Sequence, residues 1–180
     1  LHEGWCRLLV AHIRSRTGAE FDREIEDHGN AVAVLPYDAE RRTVILVRLL
    51  RTPLLLVGAE AELLEAPAGM IDEEDPDDAV RREAMEEVGL RLGTLEHITR
   101  AWSSPGLSTE AIDLYLAPYS PADRVAEGGG LASENEDIEV IELPIPDVFA
   151  RIAGGDIRDL KTLFLALALK DRHPELFTPA

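Results

Sequence analysis

Apolar residues along this chain fall into two rhythms, and the alternation between them sets out the elements. Residues 31–37 (AVAVLPY) and 43–50 (TVILVRLL) are almost continuously apolar and are separated by Asp38-Ala39-Glu40, which predicts a hairpin of buried strands. Upstream, 5–13 (WCRLLVAHI) and 20–27 (EFDREIED) flank a turn at Thr17-Gly18 and predict a small N-terminal sheet, with His28-Gly29-Asn30 as its junction with the main domain. Residues 54–57 and 61–65 read as strands paired around Gly58. Segments 92–102 and 111–117 read as two more, joined by a turn-rich loop at 103–110, and 139–143 as another. Helical periodicity replaces alternation near the end. Pro146 starts a helix that runs through Ile152 and stops at Gly154-Gly155, and a last helix over 160–170 has Leu160, Leu163, Phe164 and Leu167 at core spacing.

Between the strands lies the stretch around which the chain is organised, EAPAGMIDEEDPDDAVRREAMEEVGL (65–90). Asp75 is a natural N-cap, Pro76 suits the first helical position, Asp77 and Asp78 complement the helix dipole, and Gly89 supplies the stop. Val80, Ala84 and Val88 form a narrow apolar face. Beside that face stand Glu83, Glu86 and Glu87, at i, i+3 and i+4. Like charges so placed cost roughly 0.2–0.5 kcal/mol per pair in an isolated helix, and only Arg81 and Arg82 are near enough in sequence to offset them. A divalent cation would turn that repulsion into ligation, and hard oxygen donors suit Mg²⁺ or Mn²⁺ better than Zn²⁺.

The chain of 180 residues predicts one α/β domain with a small appendage. Its formal charge of −17 argues against nucleic-acid or anionic-membrane binding. An enzyme of this charge acting on a phosphorylated small molecule would need metal ions and local arginines. Cys6 is the only cysteine, and the five histidines lack zinc-like spacing. The longest apolar run, 44–57, is broken by Arg48, Arg51 and Pro53, so it predicts strands rather than a membrane span. With no signal-peptide pattern at its start, the sequence is expected to be cytoplasmic.

Gly69, Glu74 and then Arg82-Glu83-Ala84-x-Glu86-Glu87-x-Gly89-Leu90 resemble the Nudix box, the signature of the Nudix hydrolases. Glu74 keeps the seven-residue spacing to Arg82, but four residues rather than five separate it from Gly69, so the loop is one residue short. The resemblance covers roughly 29–170 and implies an α/β/α sandwich with a mixed sheet, occupying 29–180. The remaining residues, 1–28, would be an N-terminal β region contacting the partner of a homodimer, with Trp5 and Phe21 as interface, base-stacking or simply core residues. It also implies roles. Glu83, Glu86 and Glu87, with the backbone carbonyl of Ala68, would hold the metal, while Arg82 orients the carboxylates with Glu74 as its ion-pair partner.

Further matches imply a subfamily. GGLASENEDIEV resembles the catalytic loop of ADP-ribose pyrophosphatases, making Glu134 and Glu136 the candidate bases, on a segment that Gly128-Gly129-Gly130 would allow to close over substrate. Ser104-Pro105-Gly106 resembles the mark of the same subfamily, with Glu110 following it as a substrate contact. Arg48 and Arg51 resemble its Arg-x-x-Arg strand, although strand alternation turns the two to opposite faces. The 128–144 stretch and GGDIRDLKT (154–162) also resemble GDP-mannose pyrophosphatases, through Arg158 and Lys161. The expected function is therefore metal-dependent hydrolysis of a nucleoside diphosphate sugar. ADP-ribose, cleaved to AMP and ribose 5-phosphate, stands slightly ahead of GDP-mannose. An ADP-ribose-sensing module without catalysis, and hydrolysis of oxidised nucleoside triphosphates or dinucleoside polyphosphates, are the other readings.

Overall fold

The computed structural model describes residues 2–131 and 136–178. β1 (His2–Glu3), β2 (Arg7–Arg14) and β3 (Glu20–Asp27) make an antiparallel N-terminal sheet in the order β1-β2-β3. The other strands are β4 (Ala31–Asp38), β5 (Thr43–Leu50), β6 (Glu62–Glu65), β7 (Ala68–Met70), β8 (Glu96–Trp102), β9 (Ala111–Pro118) and β10 (Glu139–Pro144). They form one mixed sheet in the order β10-β5-β4-β9-β8, with β6 paired to β5 and β7 to β4. β4 and β9 run parallel, from Ala31 opposite Ile112 to Tyr37 opposite Pro118.

Every residue of β4 is buried, because both faces of this sheet are covered. Its side chains alternate between two cores. Val32 and Val34, with Ile45, Val47 and Tyr115, pack against Ala79, Val80, Ala84 and Val88 of α2 (Pro76–Val88). Ala33, Leu35 and Tyr37, with Val44, Leu46, Leu114 and Leu116, pack against α3 (Ile145–Gly154) and α4 (Leu160–Arg172). Helix, sheet and helices thus form the α/β/α sandwich.

The β4–β5 hairpin splits open, and the split makes room for a site. The two strands pair only at Tyr37–Val44 and Asp38–Thr43. Beyond that, β5 runs with β10 and β6, while β4 turns to β7, and the connection at 66–68 fills the gap: Val34 N–H donates to Pro67 O at 2.9 Å.

Two elements differ from expectation. Residues 52–56 form a short helix, α1 (Thr52–Leu56), instead of a strand paired across Gly58. Pro53 lies in its first turn, where a missing N–H costs nothing, and β6 pairs with β5 instead. None of its leucines is buried, so apolar content there is not a core signal. In α4 the buried face is Thr162, Leu165, Ala166 and Leu169, whereas Leu160 and Leu167 are 69% and 60% exposed and Phe164 is exposed as well. The helix is apolar on several sides, and its cap fixes which side turns inward. Asp159 accepts from Thr162 N–H (2.9 Å), and the Thr162 hydroxyl accepts from Ala66 N–H (2.7 Å), so Thr162 must face the sheet.

This rotation is testable by truncation. Leu165→Ala should destabilise the protein by about 2–5 kcal/mol in denaturant unfolding, whereas Leu167→Ala should stay within about 0.5 kcal/mol of the parent. Equal losses at both positions would refute the assignment.

Candidate active site

The site grows from the way α2 is capped and buried. Asp75 accepts from Asp77 N–H (2.9 Å), Pro76 opens the helix, and Gly89 closes it at φ 67°. With Val80, Ala84 and Val88 fully inside, Glu83 and Glu87 are carried on the flank that faces β7, with Glu86 beside them. Glu87 is only 2% exposed and accepts from Ala68 N–H at 2.9 Å. Gly69 lets Glu83 lie against the β7 backbone, since a Cβ there would fall 2.0 Å from the Glu83 carboxyl carbon.

Arg82 balances part of this charge. Its Nε and Nη2 donate to Glu74 Oε1 (3.0 and 2.8 Å), and its Nη1 donates to Glu83 Oε1 (2.8 Å) and Glu86 Oε2 (3.0 Å). Burial pushes the Glu83 carboxyl up to about 7 despite Arg82, with Glu86 and Glu136 adding repulsion. Burial likewise pushes Glu87 up to about 8, against the pull of the Ala68 amide and with Glu83 and Glu136 raising it further.

Arg82 and Glu83 border a cavity of about 1060 Å³ beside β4, β7 and β9, and Glu87 lies just outside its lining. Gly69, Asp72, Arg82, Glu83 and Glu136 line its acidic end. Arg51, Asp159 and Lys161 form a basic wall. Trp5, His28, Trp102 and Glu110 line a third, partly aromatic region.

Residues 27–159 match the NUDIX domain. The chain is 40% identical over 151 residues to the GDP-mannose pyrophosphatase of Cronobacter sakazakii, an alignment covering 83% of this chain and 78% of that one. It is 41% identical over 144 residues to the GDP-mannose pyrophosphatase of Citrobacter koseri (79% and 74%), and 40% over 152 residues to that of Escherichia coli (84% and 78%). The chain belongs to the Nudix family.

A Nudix box implies a divalent cation, and the donor set of this chain fits one. Three carboxyl groups on one helix flank, two of them buried, are hard oxygen donors whose mutual repulsion a cation would relieve. Among the described residues no group of three or more His, Cys, Asp or Glu converges into a finished cage, and Arg82 engages two of the three carboxylates.

The structure brings together some of the residues singled out in the sequence and separates others. Arg51, Glu83, Arg82, Ala68, Glu110, Glu136 and Lys161 all line the cavity of this Nudix domain. Glu74 and Glu86 stand behind it, through Arg82. Arg48 lies outside the lining and donates to Glu139 Oε2 (2.7 Å) beside β10. Arg158 also lies outside, donating to the exposed Glu60 (2.9 Å). Pro105 is exposed and does not line the cavity. Glu134 lies outside the described residues.

Sequence reasoning missed Glu65, the hub of the basic wall. Almost fully buried, it accepts from Arg51 Nε and Nη2, both at 2.8 Å, and from Lys161, which also pairs with Asp159 at 3.0 Å. Burial alone would raise its pKa, but Arg51 and Lys161 together hold it below the usual carboxylate range. A lone acid in the otherwise apolar Leu63-Leu64-Glu65-Ala66 was the available signal.

His28 was also missed as a site residue. Its Nδ1 meets Glu26, its Nε2 meets Glu110 at 3.1 Å, and Trp5 stacks on the ring at a centroid distance of 4.9 Å. Burial alone would lower the pKa of His28, but its bonds to the two carboxylates outweigh burial and raise it above 6.5. A raised histidine stabilises the fold fully below the unfolded pKa, and the contribution disappears as pH climbs through the folded one. The stability advantage of the parent over His28→Gln should therefore shrink as the pH rises above the ordinary histidine range. An advantage that grows with pH in denaturant titrations would show that the ring is not held as a cation.

Proposed function

We propose that this protein hydrolyses the diphosphate bond of GDP-mannose, giving GMP and mannose 1-phosphate, with Mg²⁺ held at the α2 carboxylates. The observation that carries the reading is one cavity in which Glu83 and Glu136 face Arg51 and Lys161. Acid at one end suits a cation, and base along the wall suits phosphate oxygens. GDP-mannose takes precedence over ADP-ribose because the Cronobacter, Citrobacter and Escherichia relatives are GDP-mannose pyrophosphatases. Ser104-Pro105-Gly106, which favoured ADP-ribose in the sequence, does not reach the cavity.

In this reading Glu83, Glu86, Glu87 and the Ala68 carbonyl hold the cation. When bound, it would neutralise the diphosphate and lower the pKa of the attacking water. Arg82 orients the carboxylates from behind, braced by Glu74. Arg51 and Lys161, locked by Glu65, present fixed positive charge to the diphosphate and sugar phosphate without having to reorganise. Glu136, or Glu134 from the neighbouring segment, takes the proton of the water. The aromatic region is left for the nucleoside.

Hydrolysis of GDP-mannose, ADP-ribose, ADP-glucose, NADH and 8-oxo-dGTP in Mg²⁺ tests this. GDP-mannose should give the highest kcat/KM, and Glu83→Gln should lower kcat by at least about 100-fold. Preference for ADP-ribose would reverse the substrate assignment; binding without turnover would make the protein a sensor.

We propose further that the enzyme is a homodimer assembled through the N-terminal sheet. No residue described in β2 or β3 is buried, and Leu9, Val10 and Ile13 are exposed. Three strands without a core of their own need a surface to cover. Light scattering should give twice the chain mass, and Leu9→Glu with Ile13→Glu should give the monomer. A monomeric parent would remove the dimer.

A further inference from the structure

The last turn of any helix leaves four carbonyls without helical partners. In α2 two of these belong to Glu86 and Glu87, and both are met by a glycine run about forty residues later in the chain. Gly129 N–H donates to Glu87 O at 2.8 Å and Gly130 N–H to Glu86 O at 3.1 Å. Gly89 O in turn receives Val125 N–H (2.9 Å) and Ala126 N–H (3.2 Å), so the segment is docked along the whole helix end.

Only glycine permits this approach. A Cβ on Gly128 would lie 2.4 Å from Glu87 O and 2.7 Å from Val88 Cα, both backbone atoms that cannot yield cheaply. A Cβ on Gly130 would lie 2.6 Å from Glu136 Oε2 and 2.7 Å from Glu136 Cβ. Both glycines have φ 78°, a conformation that disfavours side chains regardless of space. The run therefore serves close packing, where the sequence suggested freedom to close over substrate.

The same segment holds the loop acid. Leu131 N–H donates to Glu136 Oε2 (3.1 Å), Ile138 N–H donates to Gly129 O (3.3 Å), and Ile138 is buried in the core beneath α2. Glu136 is thus tied through two residues to the carbonyls of the very glutamates whose carboxylates form the acidic site.

We propose that Gly128-Gly129-Gly130 is a positioning device that registers Glu136 against the α2 carboxylates by capping the backbone of Glu86 and Glu87. It converts the end of the metal-binding helix and the start of the catalytic loop into one rigid unit. Displacement of the anchor misplaces a proton acceptor relative to the attacking water while leaving Arg51, Lys161 and the aromatic region untouched. It therefore acts on kcat and spares KM. This rests on reading the protein as a hydrolase.

The test combines amide hydrogen exchange with steady-state kinetics on GDP-mannose for the parent, Gly128→Ala, Gly130→Ala, and Gly154→Ala as a control whose Cβ meets nothing within 4 Å. In the parent, the amides of Gly129 and Gly130 should exchange as slowly as those of α2. Gly128→Ala should expose both, and both anchor variants should lower kcat about tenfold or more with KM within about twofold; the control should match the parent. Fast exchange at 129 and 130 in the parent overturns the proposal, whatever the variants do. So does a folded Gly128→Ala variant that loses thermal stability but keeps its kcat. A parent that turns over no nucleotide sugar counts against the hydrolase reading, and the exchange data then decide the anchor alone.

Discussion

Two carboxyl groups one helical turn apart, Glu83 and Glu87, are kept almost out of water, and much of the molecule is arranged around that fact. Burial of this kind is unfavourable for the ionised form, which is why both groups sit well above the ordinary carboxylate range. The fold tolerates it because the other face of α2 is wholly apolar and fully packed, so helix burial supplies what the carboxylates cost. Gly69 removes a side chain where Glu83 must lie, Ala68 offers its amide to Glu87, and Arg82 spans three acids. Each adjustment is local, and each leaves repulsion that a hard cation can remove.

A chain of formal charge −17 must still attract a diphosphate. On the proposed reading, a few positive groups held in place beside the acidic end would do so without a change in the overall field. Arg51 and Lys161 share one buried acceptor, Glu65, and Asp159 completes the set. Buried pairs of this kind contribute little net stability, because desolvation consumes much of the attraction. Their value lies in geometry: the guanidinium and the ammonium cannot wander. Asp159 joins this wall to the backbone as well. It caps α4 through Thr162, whose hydroxyl receives the Ala66 amide, so the basic wall and the β6–β7 connection that leads to Gly69 are linked by hydrogen bonds.

What the sequence made legible, and what it hid, depends on the range of each signal. α2 was readable to the residue because its cap, its proline, its apolar face and its stop all lie within fifteen positions. β4, β5 and β9 were readable because a strand covered on both faces is apolar along most of its length. By contrast, 52–57 carries the same apolar composition with none of its residues buried, and only Pro53 hinted at a helix. For α4 periodicity offered more than one apolar face, and the choice depended on Asp159 and on Ala66, nearly a hundred residues away. Arg48 and Arg51 show the same limit: strand alternation said one would miss the site, but only Glu65 and the edge strand β10 decide which. The nucleotide base and the sugar leave no such local trace.

The 103–110 loop lies mostly outside the cavity lining, and its contacts run to the N-terminal sheet. Glu26 N–H donates to Leu107 O (2.9 Å), Thr109 N–H donates to Glu26 O (3.0 Å), and the Thr109 hydroxyl reaches Asp27 (2.8 Å). Through these bonds the loop holds the end of β3, and with it His28 and the stacked Trp5, over the cavity. Pro105 itself stays in solvent. A rigid turn is what such a task requires, since a two-residue drift in the loop would swing an indole that is 77% exposed and stacked on a single ring. The loop that carries Ser104-Pro105-Gly106 therefore bears on the cavity at one remove, by fixing where the N-terminal sheet places Trp5.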